Sequence, residues 1–156
     1  MNRIPLFVAV ALLLLTNLLM VSGASAASCT VSSSGVNFGS FSPLTDTSVD
    51  STGSITVNCT EVSSYSITLS TGSGTYSQRR MVAGGYYLYY NLYRDAAFQQ
   101  IWGDGNSGSY TVSLNDPVNS QNNLHPIYGR IPLSSQRAAH VGTYSDTITV
   151  TVSYFP

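Results

Sequence analysis

The chain contains no lysine and few charged residues of any kind. Charged side chains make up 8% of its 156 residues, against roughly 25% in typical soluble proteins. The formal net charge is -1, and the five arginines that follow residue 26 are scattered along the chain. No basic face can therefore follow a phosphate backbone, and the sequence predicts that the protein does not bind nucleic acid.

The N-terminus has the layout of a signal peptide. Arg3 supplies a positive charge, residues 5–21 are almost continuously apolar, and the chain then becomes small and polar up to Ala-Ser-Ala at 24–26. Such an ending directs cleavage by a signal peptidase. We therefore predict a signal peptide at 1–26 and one exported domain at 27–156, with no membrane span after cleavage.

Two other fates of the N-terminus remain open in the sequence. The apolar run is nearly long enough to span a bilayer, so the segment could be retained as a membrane anchor. The chain could also be a lipoprotein acylated on Cys29, although the residues before this cysteine lack the usual leucine.

Cysteine is as scarce as charge. Only Cys29 and Cys59 occur, and both follow the predicted cleavage site, so an oxidising compartment favours a disulfide between them. Such a crosslink would stabilise the domain by about 3–4 kcal/mol. Two free thiols are the alternative. A zinc site would need more ligands, and His125 and His140 are distant in sequence. Neither a metal nor another cofactor is predicted.

Short runs of alternating polar and apolar residues fill the mature chain, which is the pattern of half-buried strands. One run places Ile55, Val57 and Cys59 on the same face. Glycine, asparagine and proline separate the runs, and no stretch keeps a helical period. The sequence thus predicts an all-β sandwich or barrel. Three further runs share the pattern: 64–70, 110–114 and 147–154.

Residues 86–93 have aromatic or aliphatic side chains on both faces, which predicts a central strand. Tyrosines in such a strand usually pack in the core or at its rim. Under an alternative interpretation, Tyr87, Tyr89 and Trp102 form an exposed aromatic platform that binds a glycan or another surface.

No motif indicates catalysis. Residues 103–108 match G-x-G-x-x-G, but a strand rather than a helix is predicted to follow, so this segment is a turn and not a dinucleotide site. As a calcium loop it would have Asn115 where a bidentate glutamate is needed. Neither histidine has a partner set for acid–base or nucleophilic chemistry. We predict no catalytic residues and no enzyme activity.

Five segments in a fixed order resemble the spore coat protein U domain family. No single segment is specific, but together with the cysteine spacing they cover the whole mature chain. They are NFGSF (37–41), YNLYRD (90–95), IWGDG (101–105), IYGRIP (127–132) and GTYSDTITVTV (142–152).

This resemblance implies a bacterial protein that passes through the periplasm to the cell surface or an extracellular fibre, as the subunits of archaic chaperone-usher pili do. It implies an incomplete immunoglobulin-like β-sandwich that lacks its last strand. In that family a periplasmic chaperone fills the gap first. A neighbouring fibre subunit then replaces the chaperone at the usher and fills the gap with a donor strand.

The last predicted strand fits this expectation. It carries Ile148, Val150, Val152 and Tyr154 on one face, and these residues are the predicted acceptor groove for a donor strand. Such an uncovered edge needs a partner. Because large apolar side chains would stay exposed, the isolated chain is expected to be unstable or to aggregate.

The N-terminus of the predicted mature chain departs from the usual shaft subunit. A donor extension needs about ten residues, yet only Ala27 and Ser28 precede Cys29. The chain would then accept a strand without donating one, as a tip or end subunit or an adhesive domain, although tip adhesins of this family usually carry two such domains. The alternatives are a secreted spore-coat or matrix protein that self-associates, and a glycan-binding module.

Overall fold

A computed structural model describes residues 26–42, 47–133 and 139–156, and these residues contain strands, turns and loops but no α-helix. Residues 1–25 of the predicted signal peptide lie outside the described residues. Eight strands follow one another along the chain: β1 (Ser28–Ser33), β2 (Val49–Thr60), β3 (Ser64–Leu69), β4 (Arg79–Ala83), β5 (Tyr86–Tyr93), β6 (Val112–Asn115), β7 (Asn123–Ile131) and β8 (Val150–Phe155).

The strands form two sheets. The larger sheet has the order β1-β2-β7-β5-β4 and the smaller sheet the order β6-β3-β8, with antiparallel pairing between the neighbouring strands. β5 lies between β7 and β4, so the prediction of an interior strand at 86–93 is confirmed. The all-β prediction is confirmed as well.

Alternate residues of the strands build the core between the sheets. Ile55 and Val57 of β2 and Ile67 of β3 are each 0% exposed, while their neighbours in sequence face outward or are only half-buried. This period of two is the physical reason why the sequence pattern identifies the strands.

The predicted disulfide is confirmed. Cys29 and Cys59 lie directly opposite each other in the register of β1 and β2, with their Cα atoms 4.1 Å apart, and their sulfur atoms are bonded. The crosslink therefore ties β1, which is an edge strand, to the interior of the larger sheet.

Trp102 and Arg79, both 0% exposed, connect the two sheets. The indole Nε1 of Trp102 donates to the carbonyl oxygen of Ile67 at 3.1 Å. The Arg79 guanidinium donates to the carbonyl oxygens of Ser70 and Trp102, each at 2.8 Å, and to Asn91 Oδ1 at 2.7 Å. Burial lowers the pKa of Arg79. These bonds join β4 and β5 to the end of β3.

The smaller sheet covers only part of the inner face of the larger one. Two non-strand segments, 34–42 and 139–149, pack over the rest. Two glycines let the first segment lie close: a Cβ atom on Gly129 would stand 2.7 Å from Val36 Cγ1 and 2.8 Å from Phe38 Cζ, and one on Gly53 would clash with a backbone carbonyl. The molecule thus has a sheet-covered half and a loop-covered half.

Candidate functional site

β8 is an edge strand. It pairs with β3 on one side, and no described strand pairs with its other side. Val150 and Val152 point inward, where they are partly buried against the core opposite Leu69 and Ile67. An unpaired edge beside an apolar interior is a place where another strand can add to a sheet.

The backbone groups of β8 divide between its two sides. Ser70 N donates to the carbonyl oxygen of Thr149 at 3.0 Å, in register with the β3–β8 pairing. Neighbouring residues of a strand direct their backbone groups to opposite sides. The odd-numbered residues of β8 therefore face β3, and the even-numbered residues within 150–154 face the open edge.

A groove of mixed polar and apolar lining lies beside this edge and contains two cavities, with volumes of about 320 Å³ and about 550 Å³. Ile148 and Val150 line the smaller cavity, and Leu88 and Ile131 line the larger one. Because four residues line both cavities, the cavities are neighbouring parts of one groove. The shared residues are Val36, Phe38, Met81 and Tyr144.

The groove runs between the edges of the two sheets. Its first wall consists of Ser33, at the end of β1, and the segment 34–42; its second wall consists of the segment 139–149 and the start of β8. β1 and β8 also contact each other, but they do not pair. Phe38 is fixed in the first wall by an edge-on contact with Tyr90, with ring centroids 5.9 Å apart.

One carboxylate, that of Asp146, lies in the lining of the smaller cavity. The hydroxyl of Tyr90 donates to Asp146 Oδ2 at 2.8 Å, and Oδ1 accepts the N–H and the hydroxyl of Ser73 at 3.0 and 2.9 Å. Burial, together with the adjacent carboxylate, raises the pKa of Tyr90 far above its usual value. Tyr90 therefore stays a neutral donor and anchors the second wall to β5.

The four predicted groove residues differ from one another in position and exposure. Ile148 and Val150 line the smaller cavity, and Val152 packs partly buried against the core. Tyr154 lies opposite Tyr65 but remains 40% exposed, outside both cavities. Occupation of the groove by a partner strand remains a prediction.

The predicted strand at 147–154 begins later, at Val150. β3 ends at Leu69, so the chain before Val150 has no strand to pair with in the smaller sheet. The Ser70 hydroxyl instead accepts the N–H of Thr149 at 2.9 Å. The first wall of the groove was not predicted from the sequence. Its apolar residues Val36 and Phe38 alternate with a polar residue, but they lie outside every strand.

Trp102 is not part of an exposed platform, so the alternative interpretation is wrong for this residue. Its side chain is 0% exposed and bonded within the core. Tyr87 is 44% exposed and stacks under Arg80, whose guanidinium carbon lies 4.3 Å from the ring centroid. Tyr89 is half-buried and pairs with Arg80 across the strands. A ligand role for Tyr87 and Tyr89 stays a prediction.

The remaining candidates have structural roles in the described residues. The glycine-rich segment 103–108 is a turn in which Asp104 accepts the N–H of Asn106 at 2.9 Å. His125 Nε2 is 2.7 Å from the hydroxyl of Tyr65. No group of three or more potential metal ligands occurs in the part of the chain that the structure describes.

These features define an immunoglobulin-like β-sandwich with an open edge. The same fold occurs in one chain of the CsuC–CsuE chaperone-tip adhesion subunit pre-assembly complex from the archaic chaperone-usher Csu pili of Acinetobacter baumannii. The TM-score is 0.54 and the identity 23%, over 81% of this chain and 40% of that chain. The protein thus spans less than half of the solved chain.

The chain belongs to the Spore Coat Protein U domain family, whose sequence pattern matches residues 15–151. It is also similar to Protein U of Myxococcus xanthus, with 34% identity over 136 residues, which cover 76% of this chain and 71% of that protein. The resemblance found in the sequence is confirmed. The family is named for a spore coat protein, which is a structural protein and not an enzyme. Among the described residues, no helix is long and apolar enough to cross a membrane.

Proposed function

We propose that the protein is an exported subunit of a chaperone-usher type surface fibre and that its groove accepts a β-strand from a partner. The observation that carries this proposal is the unpaired edge of β8 beside the groove, where Ile148 and Val150 line the smaller cavity. The added strand takes the place of the missing last strand of the sandwich. Its donors are first a periplasmic chaperone and, after the usher, a neighbouring fibre subunit.

Two kinds of interaction would stabilise such a complex. Backbone groups of residues 150–154 would pair with the added strand, and its inward side chains would enter the two cavities. Each large apolar side chain that becomes buried contributes roughly 1.5–3 kcal/mol. A strand with two or three such side chains would therefore supply a large part of the stability of a domain this size.

The structural neighbour supports the choice of partner. That crystal structure contains a chaperone bound to a tip adhesion subunit. The shared fold makes a chaperone the natural first partner of this chain, because a subunit with an open edge needs protection before it is assembled.

Co-expression with a periplasmic chaperone of the chaperone-usher type tests the proposal. We expect an equimolar complex, and a chain without the chaperone that aggregates or melts at low temperature. Val150→Asn places an amide in the groove and should weaken the complex at least about tenfold. Thr151→Asn is the matched control, because Thr151 is exposed and its backbone faces β3. A soluble monomer with a cooperative melt that the chaperone does not change would overturn the proposal.

A self-associating spore-coat or matrix protein is the second candidate. The family name and the similarity to Protein U favour it. In that case a second copy of the chain would cover the open edge. A stable homo-oligomer that forms without chaperone, and that Val150→Asn dissociates, would support this function over a chaperone-dependent fibre.

The domain boundaries and the position in a fibre are part of the proposal. Cleavage after residue 26 would leave two residues before Cys29, and a subunit with so short an N-terminus would occupy the tip or the end of a fibre. Intact-mass and N-terminal analysis of the protein from the cell envelope tests this. A mature N-terminus many residues earlier would leave room for a donor segment.

A further inference from the structure

The second wall of the groove continues the alternation of β8 toward the N-terminus. Exposed and half-buried residues alternate without interruption from residue 144 to residue 153, and no residue in 144–149 has a positive φ. Because 144–149 also contains no helix, turn or bend and pairs with β4 at Ser145, the alternation indicates an extended segment, although it belongs to no strand. The inward side chains before β8 are those of Tyr144, Asp146 and Ile148.

The backbone of this segment has the same orientation as that of β8. Ser145 N and O both bond to Val82 of β4, at 3.3 and 2.9 Å, and Thr149 bonds to Ser70. Both are odd-numbered residues, and their backbone groups point away from the groove. The backbone groups of the even-numbered residues 144, 146 and 148 consequently face the groove. None of these bonds to another described residue.

The chain thus presents one continuous unpaired edge along residues 144–154. The opposite side of this stretch of chain is hydrogen-bonded to other strands. Ser145 bonds to β4 of the larger sheet, and β8 pairs with β3 of the smaller sheet. At about 3.3 Å per residue, this edge matches a partner strand of about eleven residues. β8 alone would match a strand about half as long.

Asp146 is the polar position on this edge. Its Oδ2 accepts one bond from the described residues, from Tyr90, and a carboxylate oxygen can accept two. An apolar side chain placed against Asp146 would remove a carboxylate from water and leave this second acceptor site of Oδ2 empty. The buried guanidinium of Arg79 already acts on Asp146 electrostatically, so a neutral hydrogen-bond donor suits this position better than a second cation.

We propose, on the basis of the function proposed above, that the partner strand pairs with all of residues 144–154 and carries serine, threonine or asparagine opposite Asp146. The partner strand carries large apolar residues opposite Ile148, Val150 and Val152. A slip of the partner by two residues would place an apolar side chain against the carboxylate. Asp146 therefore selects one register of the incoming strand.

A strand appended to the chain tests this inference. A short turn after Pro156 sends a designed tail back antiparallel to β8, with its register set by the turn. A short tail covers residues 150–154 only, and a long tail covers 144–154 with serine opposite Asp146. We expect the short tail to raise the Tm by about 5 °C and the long tail by about 5 °C more. In hydrogen exchange, the amides of Asp146 and Ile148 should become protected only with the long tail.

Two matched long tails test the polar position. Replacing the serine opposite Asp146 by valine should lower the Tm by about 3 °C, although it adds apolar surface. Replacing the valine opposite Val150 by serine should also lower the Tm. A tail of the same composition in scrambled order should stabilise nothing.

The outcomes separate the two proposals. If neither tail raises the Tm more than the scrambled tail does, the groove does not accept a strand and the proposed function fails. If the short tail stabilises and the long tail adds nothing, or if valine opposite Asp146 is preferred, the proposed function stands and this inference is wrong.

Discussion

The two halves of the larger sheet are packed in different ways. Where the smaller sheet covers it, Ile55, Val57, Ile67 and Trp102 are all 0% exposed. Where the segments 34–42 and 139–149 cover it, a cavity of about 550 Å³ remains. The first half is close-packed like an ordinary protein interior, and the second half is not.

This difference in packing means that one half of the molecule provides the stability of the fold and the other half provides the binding site for a partner. The sheet-covered half holds the disulfide and the bonds of Arg79 and Trp102, which fix the strands without any partner. The loop-covered half has an unpaired edge and unfilled volume, and such elements belong to the least stable part of a structure. Substitutions in the first half should therefore change folding, and substitutions in the second half should change mainly partner binding.

Trp102→Ala should have the largest effect, because it removes a fully buried aromatic side chain from the sheet-covered half. We expect a loss of about 3–5 kcal/mol in the free energy of unfolding, measured by urea denaturation of the chain stabilised by its partner or by an appended strand. Trp102→Phe keeps most of the volume and should cost less. A folded Trp102→Ala protein with unchanged stability would contradict the buried position.

Removing the disulfide should rank second. The Cys29→Ser, Cys59→Ser double variant loses a crosslink across a separation of 30 residues, which should cost about 3–4 kcal/mol. Reducing the wild-type protein should lower its free energy of unfolding, measured by urea denaturation, by a similar amount. The same treatment should leave the free energy of unfolding of the double variant unchanged. Partner binding should also weaken, because β1 flanks the groove.

Gly129→Ala examines the loop-covered half. The added Cβ would meet Val36 and Phe38 at 2.7 and 2.8 Å, so the first wall must move outward, at a cost of about 1–3 kcal/mol. Binding of a partner strand, measured by titration with the chaperone, should fall. Val118→Ala is the control, since the Val118 side chain is 54% exposed and lines neither cavity. Equal effects of both variants would show that the wall is not specifically seated on Gly129.

The smallest predicted effect depends on pH. Burial lowers the pKa of His125 from its model-peptide value of 6.5, so the unfolded chain takes up the proton more readily than the folded chain does. The contribution of neutral His125 is fully present above about pH 6.5 and is lost as the pH falls. The urea midpoint of the wild type should therefore decrease between about pH 7.5 and about pH 5 more than that of His125→Gln. Parallel profiles would contradict this.

Much of the fold follows from local pattern. The alternation around Ile55 and Ile67 predicts β2 and β3, because one face of each strand must be buried. The pairing of Cys29 with Cys59 follows from there being only two cysteines in a chain that is predicted to be exported. The aromatic run at 86–93 predicts an interior strand for the same reason of burial, although its outer face carries the exposed Tyr87.

The groove could be predicted only in part. Ile148 and Val150 were found because they belong to one run of alternating polar and apolar residues. Phe38, Met81 and Tyr144 were not found, because they come from three distant parts of the chain and meet only when the two sheets pack. The burial of Trp102 also depends on tertiary structure: in sequence it stands in a glycine-rich turn, where an aromatic residue is usually exposed.

The sequence by itself determined the class of protein, the disulfide and the period of the strands, since these depend on composition and on neighbouring residues. Tertiary structure alone decided how far the unpaired edge extends and what lines the groove beside it. The smaller sheet has three strands against five, so it cannot cover the larger one. The chain from Tyr144 to Val150 crosses between them, and the space that it leaves open is where we place the partner strand.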